Sequence, residues 1–131
     1  MKKITQSKED YLRVLLKLSK EDERIHSMDI ANALGLSRAS VSRMMNLLKD
    51  SGYVMKEKYS TISLTEKGLL VAERLRKRRN LLKDFLTDVL GVEALIAEED
   101  ACRMEHIISE ETEIKLNLHL KECQFKRGQI S

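Results

Sequence analysis

The chain has 131 residues, a net charge of +3, 42% hydrophobic residues and no proline or tryptophan. This length suits one domain or two small ones, and the missing proline favours long helices. No segment approaches the ~18 consecutive apolar residues of a membrane span, and no signal peptide opens the chain, so we expect neither a membrane protein nor a secreted one. The two cysteines lie far apart in a highly charged chain. This indicates a reduced cytoplasmic setting rather than a disulfide framework.

The positive charge is concentrated in the middle of the chain. Residues 1–35 carry a net charge of +1, residues 36–83 carry +8 and residues 84–131 carry −6. A local excess of basic residues is the electrostatic footprint of a surface that binds a polyanion. The acidic last third needs another explanation, such as solubility, metal binding or a partner.

The first predicted element is an amphipathic helix over residues 5–20, because Tyr11, Leu15 and Leu18 fall on one face. Either Thr5 or Ser7 is suited to cap its start. A helix over residues 27–34 follows, with Ser27 as the expected cap.

A third helix is predicted directly after these two. Gly35 tolerates the left-handed backbone that ends the preceding helix, and Ser37 is a good cap for the next one. A short helix, a glycine turn and a second helix with a polar outer face form the helix-turn-helix pattern. The apolar positions of the second helix recur every three or four residues: Val41, Met44, Met45 and Leu48.

A predicted β-hairpin follows over residues 53–65, with a basic turn at residues 58–61. Ile62 and Leu64 alternate with polar residues, which is the period-two pattern of a half-buried strand. A helix-turn-helix followed by a hairpin is typical of a winged helix.

The polar face of the second helix of this motif is suited to DNA. Hydroxyl groups and Arg side chains reach phosphates and base edges in a major groove. The competing interpretation is an ordinary amphipathic helix with a solvated face, but the flanking elements favour DNA binding. The candidates for base contacts are Ser37, Ala39, Ser40 and Arg43. The candidates for backbone contacts are Ser7, Arg38, Ser42, Lys58 and Ser60.

A long helix is predicted from its cap Thr65 to about Leu90, where Gly91 ends it. Its basic run at residues 74–79 has two interpretations, a contact to the DNA backbone or a solvated face. A helix this long is a natural linker to a second module. There we expect a helix that begins at the acidic residues 98–100, and a final helix over about residues 110–122 with a polar tail.

Cys102, Glu105 and His106 are candidate metal ligands in this second module. Their i, i+3 and i+4 spacing on one helix places a thiolate, a carboxylate and an imidazole within reach of one ion. Such donors suit Fe²⁺, Zn²⁺, Co²⁺ or Ni²⁺. The alternative without a metal site is a small buried Cys beside a surface Glu–His pair. A Cys–His hydrolase is a further alternative, but no glycine-rich turn or nucleophile elbow supports it, so we expect no enzyme.

These motifs together resemble the diphtheria-toxin-repressor family of iron- and manganese-dependent transcription regulators. The resemblance covers nearly the whole chain, and its most specific part is residues 100–109, which resemble the metal-binding helix of the iron branch. The chain ends where that branch would add a C-terminal barrel, as in the shorter manganese-type members. The resemblance implies a mostly α fold with a winged helix-turn-helix DNA-binding domain at residues 1–72. A long helix would join it to a helical dimerisation and metal-binding domain at residues 73–131.

The family resemblance also implies a function. It implies a homodimer that binds a pseudo-palindromic operator in double-stranded DNA and represses metal-uptake genes when metal is loaded. Asp10 would join Cys102, Glu105 and His106, so that the ion bridges helix one and the dimer domain. Asp10 is typical of the manganese branch and Cys102 of the iron branch, so Fe²⁺ or Mn²⁺ is expected, with Zn²⁺ and Co²⁺ as alternatives. Arg13 replaces a second helix-one carboxylate of manganese-type members, which argues against a two-manganese cluster.

The ancillary metal site of the iron branch is altered in this chain. At its positions stand Arg79, Lys83 and Glu98, which cannot cage a divalent cation but can form an ion pair in its place. The alternative function is a winged-helix regulator that has lost metal control and acts constitutively or senses thiol oxidation at Cys102. A winged-helix protein-interaction module is a third possibility, against which the basic block at residues 36–83 argues.

Overall fold

The computed structural model describes residues 4–22, 24–57 and 60–130, with side chains described as far as residue 123. The chain divides into two compact units, Met1–Arg74 and Leu75–Ser131. The first unit contains α1 (Gln6–Glu21), α2 (Ser27–Leu34), α3 (Arg38–Asp50), β1 (Val54–Lys56) and β2 (Ile62–Leu64). The long helix α4 (Glu66–Asp84) begins in the first unit and ends in the second. The second unit continues with a π-helical segment (Phe85–Val89), α5 (Ala94–Met104) and α6 (Glu110–Ile130).

The apolar faces of the three helices and the hairpin of the first unit meet in one core. Each helix contributes positions three or four residues apart, β1 contributes Val54, and β2 contributes the alternate residues Ile62 and Leu64. The prediction of a mostly α fold with a winged helix is confirmed. The fully buried side chains of this core include Leu12, Leu15, Ile30, Val41, Met45 and Leu48.

Three of the predicted caps, Thr5, Ser37 and Thr65, are confirmed, and the cap predicted at Ser27 is wrong. The Ser37 side chain accepts a hydrogen bond from the Ser40 backbone N–H at 3.2 Å, and Thr5 accepts one from Lys8 at 3.4 Å. Helix α2, however, is capped at His26 and not at Ser27, because the Asp29 carboxylate accepts a hydrogen bond from the His26 backbone N–H at 2.8 Å. An acid three residues into the helix thus stabilises its start.

The hairpin is antiparallel, and its base is held by the start of α4. Val54 pairs with Leu64 and Lys56 with Ile62. The Thr65 hydroxyl donates a hydrogen bond to the Gly52 carbonyl at 2.6 Å and accepts one from the Gly68 N–H at 3.1 Å. Thr65 therefore caps α4, as predicted, and also joins that helix to the turn after α3.

The second unit departs from the predicted helix boundaries at two places. Helix α5 begins at Ala94, so the acidic residues 98–100 lie within it and not at its start. The helix-forming residues 94–97 extend it by a turn, which the acidic run concealed. Helix α6 continues to Ile130 rather than ending near residue 122, since residues 123–127 contain neither glycine nor proline. Within the described ranges, no helix combines the length and apolarity that a membrane span requires.

Candidate nucleic-acid interface and metal centre

Helix α3 buries one face and exposes the residues predicted to contact DNA. Val41, Met45 and Leu48 are buried against the first unit's core, which fixes the rotation of the helix. On the other side Ser40 is half-buried, and its hydroxyl lies 3.0 Å from that of Ser37. The exposed members of the predicted set on this helix are Ser37, Arg38, Ala39, Ser42 and Arg43.

The exposed face of α3 meets the wing across a concave surface. Arg38, Ala39 and Ser42 line a cleft of about 550 Å³ together with Lys56 and Ser60 of the hairpin. Ser60 has a left-handed backbone with a φ of 60°. The cleft therefore gathers four predicted DNA-contact residues on one surface of the first unit.

Of the two other predicted contacts, only Ser7 belongs to the described residues. Ser7 is exposed in the first turn of α1, and Lys58 lies outside the described residues.

Lys56 is a residue of this surface that the sequence analysis missed. Its ammonium group donates a hydrogen bond to the Asn46 side-chain oxygen at 2.7 Å and so links β1 to α3. Both side chains are exposed, and the ammonium retains the charge that attracts phosphate. The period-two pattern concealed it, because Lys56 is two positions from the buried Val54 and would share its inward face, whereas the strand exposes Lys56.

The candidate metal ligands of the second unit lie where α5 ends. Cys102 lies in the last turn of the helix, Glu105 is its C-terminal cap, and His106 begins the following turn. The expectation that all three lie within one helix is therefore wrong. After Met104 the chain forms a turn in which Ile107 and Ile108 both donate backbone hydrogen bonds to the Met104 carbonyl, at 3.0 and 3.2 Å, before α6 begins.

Glu105 and His106 form a buried carboxylate–imidazole pair. Their Oε1 and Nε2 atoms are 3.4 Å apart, and their side chains are 1% and 4% exposed. Cys102 is half-buried, and within the described ranges no three His, Cys, Asp or Glu side chains are already gathered around one point. The structure thus brings together two of the predicted ligands. A carboxylate and an imidazole withdrawn from water fit a divalent cation, because burying a charge is costly unless opposite charge compensates it.

Arg78 supports the turn that contains this pair. Its Nη1 donates a hydrogen bond to the Glu105 carbonyl at 3.0 Å, and its Nε lies 3.3 Å from the Glu113 carboxylate. The side chains of Arg78 and Glu113 are only 15% and 20% exposed. One guanidinium of α4 therefore holds both the end of α5 and the first turn of α6. Neither interpretation of the basic run at residues 74–79 anticipated this role.

The remaining predicted site residues are placed as follows. Lys83 Nζ lies 4.0 Å from Glu98 Oε2, and the two side chains are 39% and 63% exposed. Arg79 is half-buried on α4. Asp10 is half-buried in α1 of the first unit.

Comparison with known proteins identifies the family. Residues 3–62 match the family model described as the iron-dependent repressor N-terminal DNA-binding domain. Residues 65–128 match the one described as the iron-dependent repressor metal-binding and dimerisation domain. The chain belongs to the iron-dependent repressor family of metal-dependent transcription regulators. The resemblance seen in the sequence motifs is thereby confirmed.

Named relatives of this repressor family include regulators of manganese. The chain is 34% identical to an uncharacterised helix-turn-helix-type transcriptional regulator of Methanocaldococcus jannaschii, over 94% of this chain and 99% of that protein. It is 37% identical to the helix-turn-helix-type transcriptional regulator MntR of Shouchella clausii, over 80% of this chain and 73% of that one. The solved structure of the manganese regulator SloR matches with a TM-score of 0.77 and 33% identity, over 90% of this chain and 55% of SloR. The chain thus spans about half the length of that solved relative.

The comparisons bear on the expected cofactor and on catalysis. The predicted Fe²⁺ or Mn²⁺ agrees with the family model, whose description names iron, and with SloR, which is named a manganese regulator. The names of these relatives describe transcriptional regulators.

Proposed function

We propose that this iron-dependent repressor family member represses metal-uptake or metal-homeostasis genes in the cytoplasm, as a homodimer on a pseudo-palindromic operator. The observation that carries this proposal is the buried Glu105–His106 pair in a chain whose first unit exposes a winged-helix surface. A buried acid–imidazole pair supports a metal-binding role, and the exposed hydroxyls and cations of α3 and β1 support DNA contacts.

The proposed ligand set is Asp10 with Cys102, Glu105 and His106. A bound divalent ion would supply the positive charge that holds these acidic and soft donors together. Because Asp10 belongs to α1 and the other donors to the second unit, ligation by all four would couple the domain at residues 1–72 to the one at residues 73–131. Such coupling would favour recognition helices spaced about one DNA turn apart, ~34–36 Å, over other arrangements in the dimer.

Lys83 and Glu98 belong to the same proposal as a replacement for the ancillary metal. Their 4.0 Å separation places them at the outer limit of an ion pair, with Arg79 on the same helix as Lys83. An exposed pair adds about 0–1 kcal/mol to stability, so its proposed role is to orient α5 relative to α4. Glu98→Ala should therefore weaken metal-dependent DNA binding while leaving the free energy of unfolding nearly unchanged.

The test is fluorescence anisotropy on a palindromic operator under anaerobic, reducing conditions. Fe²⁺, Mn²⁺, Co²⁺ and Zn²⁺ are each titrated against a chelated sample. Metal should strengthen DNA binding by the native chain. In Cys102→Ala this metal-induced gain in DNA affinity should be at least about tenfold smaller, since loss of a ligand should weaken metal binding at least as much as loss of a residue that supports a ligand.

The matched control for this titration is Arg103→Ala. Arg103 is adjacent to Cys102, is 73% exposed, and pairs with Asp100 in the same helix. The Arg103→Ala variant should bind DNA more strongly with metal, to the same extent as the native chain does. Equal DNA binding with and without chelator would contradict metal control and would favour the constitutive or thiol-sensing winged-helix regulator instead.

A further inference from the structure

Helix α6 carries an imidazole and a thiol one turn apart, neither of which belongs to the proposed ligand set. His119 and Cys123 stand at i and i+4, and the Cys123 sulfur lies 3.7 Å from His119 Nε2. His119 is exposed and Cys123 is half-buried, so both are accessible to an ion from solvent.

The separation of these two atoms matches the bite of a tetrahedral metal. Zinc–sulfur bonds of ~2.3 Å and zinc–nitrogen bonds of ~2.0–2.1 Å, joined at a tetrahedral angle, place sulfur and nitrogen ~3.6 Å apart. The observed 3.7 Å therefore needs almost no rearrangement. Two donors on adjacent turns of one helix also lose little conformational freedom when they bind together.

The surroundings of His119 restrict its ring and leave it open on one side. The Phe85 ring lies 6.0 Å from the imidazole, centroid to centroid, at an interplanar angle of 59°. A cleft of about 510 Å³ lined by Phe85, Thr112 and His119 opens beside it. The imidazole is thus partly oriented before an ion arrives, and solvent can supply the remaining ligands.

The sequence supplies a third donor at a familiar spacing. Glu122 lies three residues after His119, so His119, Glu122 and Cys123 repeat the i, i+3, i+4 spacing of Cys102, Glu105 and His106 with the thiol and imidazole exchanged. The described side chains do not already gather three such donors, so the preformed part of the site is the His119–Cys123 pair.

We propose that His119 and Cys123 form a second transition-metal site, for divalent ions that prefer thiolate and imidazole, such as Zn²⁺, Co²⁺ or Cd²⁺. On binding, the Cys123 thiol releases its proton to solvent and the thiolate and the neutral imidazole each donate an electron pair to the ion. The chemistry excludes a preference for Mg²⁺ or Ca²⁺, which take oxygen ligands.

The test is a Co²⁺ titration of the full-length Cys102→Ala variant under anaerobic conditions. The chain has two cysteines, so Cys123 is the one thiol left in this variant. A near-ultraviolet thiolate-to-cobalt charge-transfer band should appear and saturate. The band should be absent from Cys102→Ala/Cys123→Ala. In Cys102→Ala/His119→Ala the apparent affinity for Co²⁺ should be at least about tenfold lower. Cys102→Ser replaces Cys102→Ala throughout if circular dichroism shows that the alanine variant is unfolded.

The matched control is Cys102→Ala/His106→Ala, which removes the other imidazole of the second unit and should keep the band. No charge-transfer band in a folded Cys102→Ala variant would overturn the proposal, and so would an unchanged affinity after His119→Ala. Every variant here lacks Cys102, so failure of this site leaves the proposed regulation of DNA binding untouched.

Discussion

Single residues in the second unit determine how the turn after α5 is held. Arg78 follows Leu75 by three residues and precedes Leu82 by four, so it lies on the buried side of α4. There its guanidinium serves two acceptors, the Glu105 carbonyl and the Glu113 carboxylate. A planar fork with several donors can reach both at once, which a lysine cannot do.

We expect Arg78→Ala to lower the free energy of unfolding by about 1.5–3 kcal/mol, because hydrogen bonds to charged groups contribute about that much. Arg78→Lys should recover part of the loss, since it keeps a cation near Glu113. Urea denaturation followed by circular dichroism measures both. The exposed neighbour Lys77 provides the control, because Lys77→Ala should change stability by less than about 0.5 kcal/mol. Equal effects of the two alanine variants would show that the Arg78 contacts contribute nothing.

At the scale of whole elements, the hairpin depends on a close approach of backbones. A Cβ on Gly68 would lie 2.0 Å from the Tyr53 carbonyl oxygen, a separation no alanine tolerates without backbone movement. The start of α4 therefore packs directly on the chain that enters β1. The Thr65 hydroxyl, bonded to the Gly52 carbonyl, fixes the same junction. The packing of these two elements fixes the base of the wing.

Gly68→Ala should destabilise the first unit by about 1–3 kcal/mol, the usual cost of overpacking. The sign of this change in the free energy of unfolding is informative, because a glycine-to-alanine change inside an unobstructed helix stabilises the protein by roughly 0.5–1 kcal/mol. Thermal or urea denaturation decides between them. Leu70→Ala, in the same helix at a side chain 67% exposed, should have little effect. A stabilised Gly68→Ala variant would mean that α4 and the hairpin separate easily.

At the scale of the whole molecule, the basic and acidic residues are concentrated in different regions of the sequence. Residues 36–83 contain 12 basic and 4 acidic residues and include α3, the hairpin and most of α4, whereas residues 84–131 carry a net charge of −6. Polyanion binding through the first region and cation binding through the second agree with this division. The protein-interaction alternative predicts no steep dependence of affinity on salt.

The logarithm of the DNA-binding constant should fall linearly with the logarithm of salt concentration, and Arg38→Ala should reduce that slope by about 1 if Arg38 contacts a phosphate. Anisotropy titrations at several salt concentrations, with activating metal held constant, give the slope. Lys115, an exposed cation in the acidic third, is the matched control, and its alanine variant should keep the native slope. A flat salt dependence for the native chain would exclude DNA as the partner of the basic block.

Local patterns in the sequence were enough for the helix-turn-helix, the wing and the family. Apolar periodicity, the caps Ser37 and Thr65 and the turn at Gly35 all depend on residues within about four positions, and each was placed correctly. Fe²⁺ or Mn²⁺ as the cofactor followed from donor chemistry together with the resemblance. The complete ligand set and the assignment of base and phosphate contacts stay predictions.

Tertiary structure alone decided which polar groups are buried and what they touch. The burial of the Glu105–His106 pair and the double role of Arg78 depend on contacts with helices distant in sequence. The Gly68–Tyr53 approach is likewise a contact between two elements. A residue's neighbours within one helix follow from the helical repeat. Its neighbours on another element depend on how the chain turns and packs, and the spacing of residues within one element does not specify those contacts.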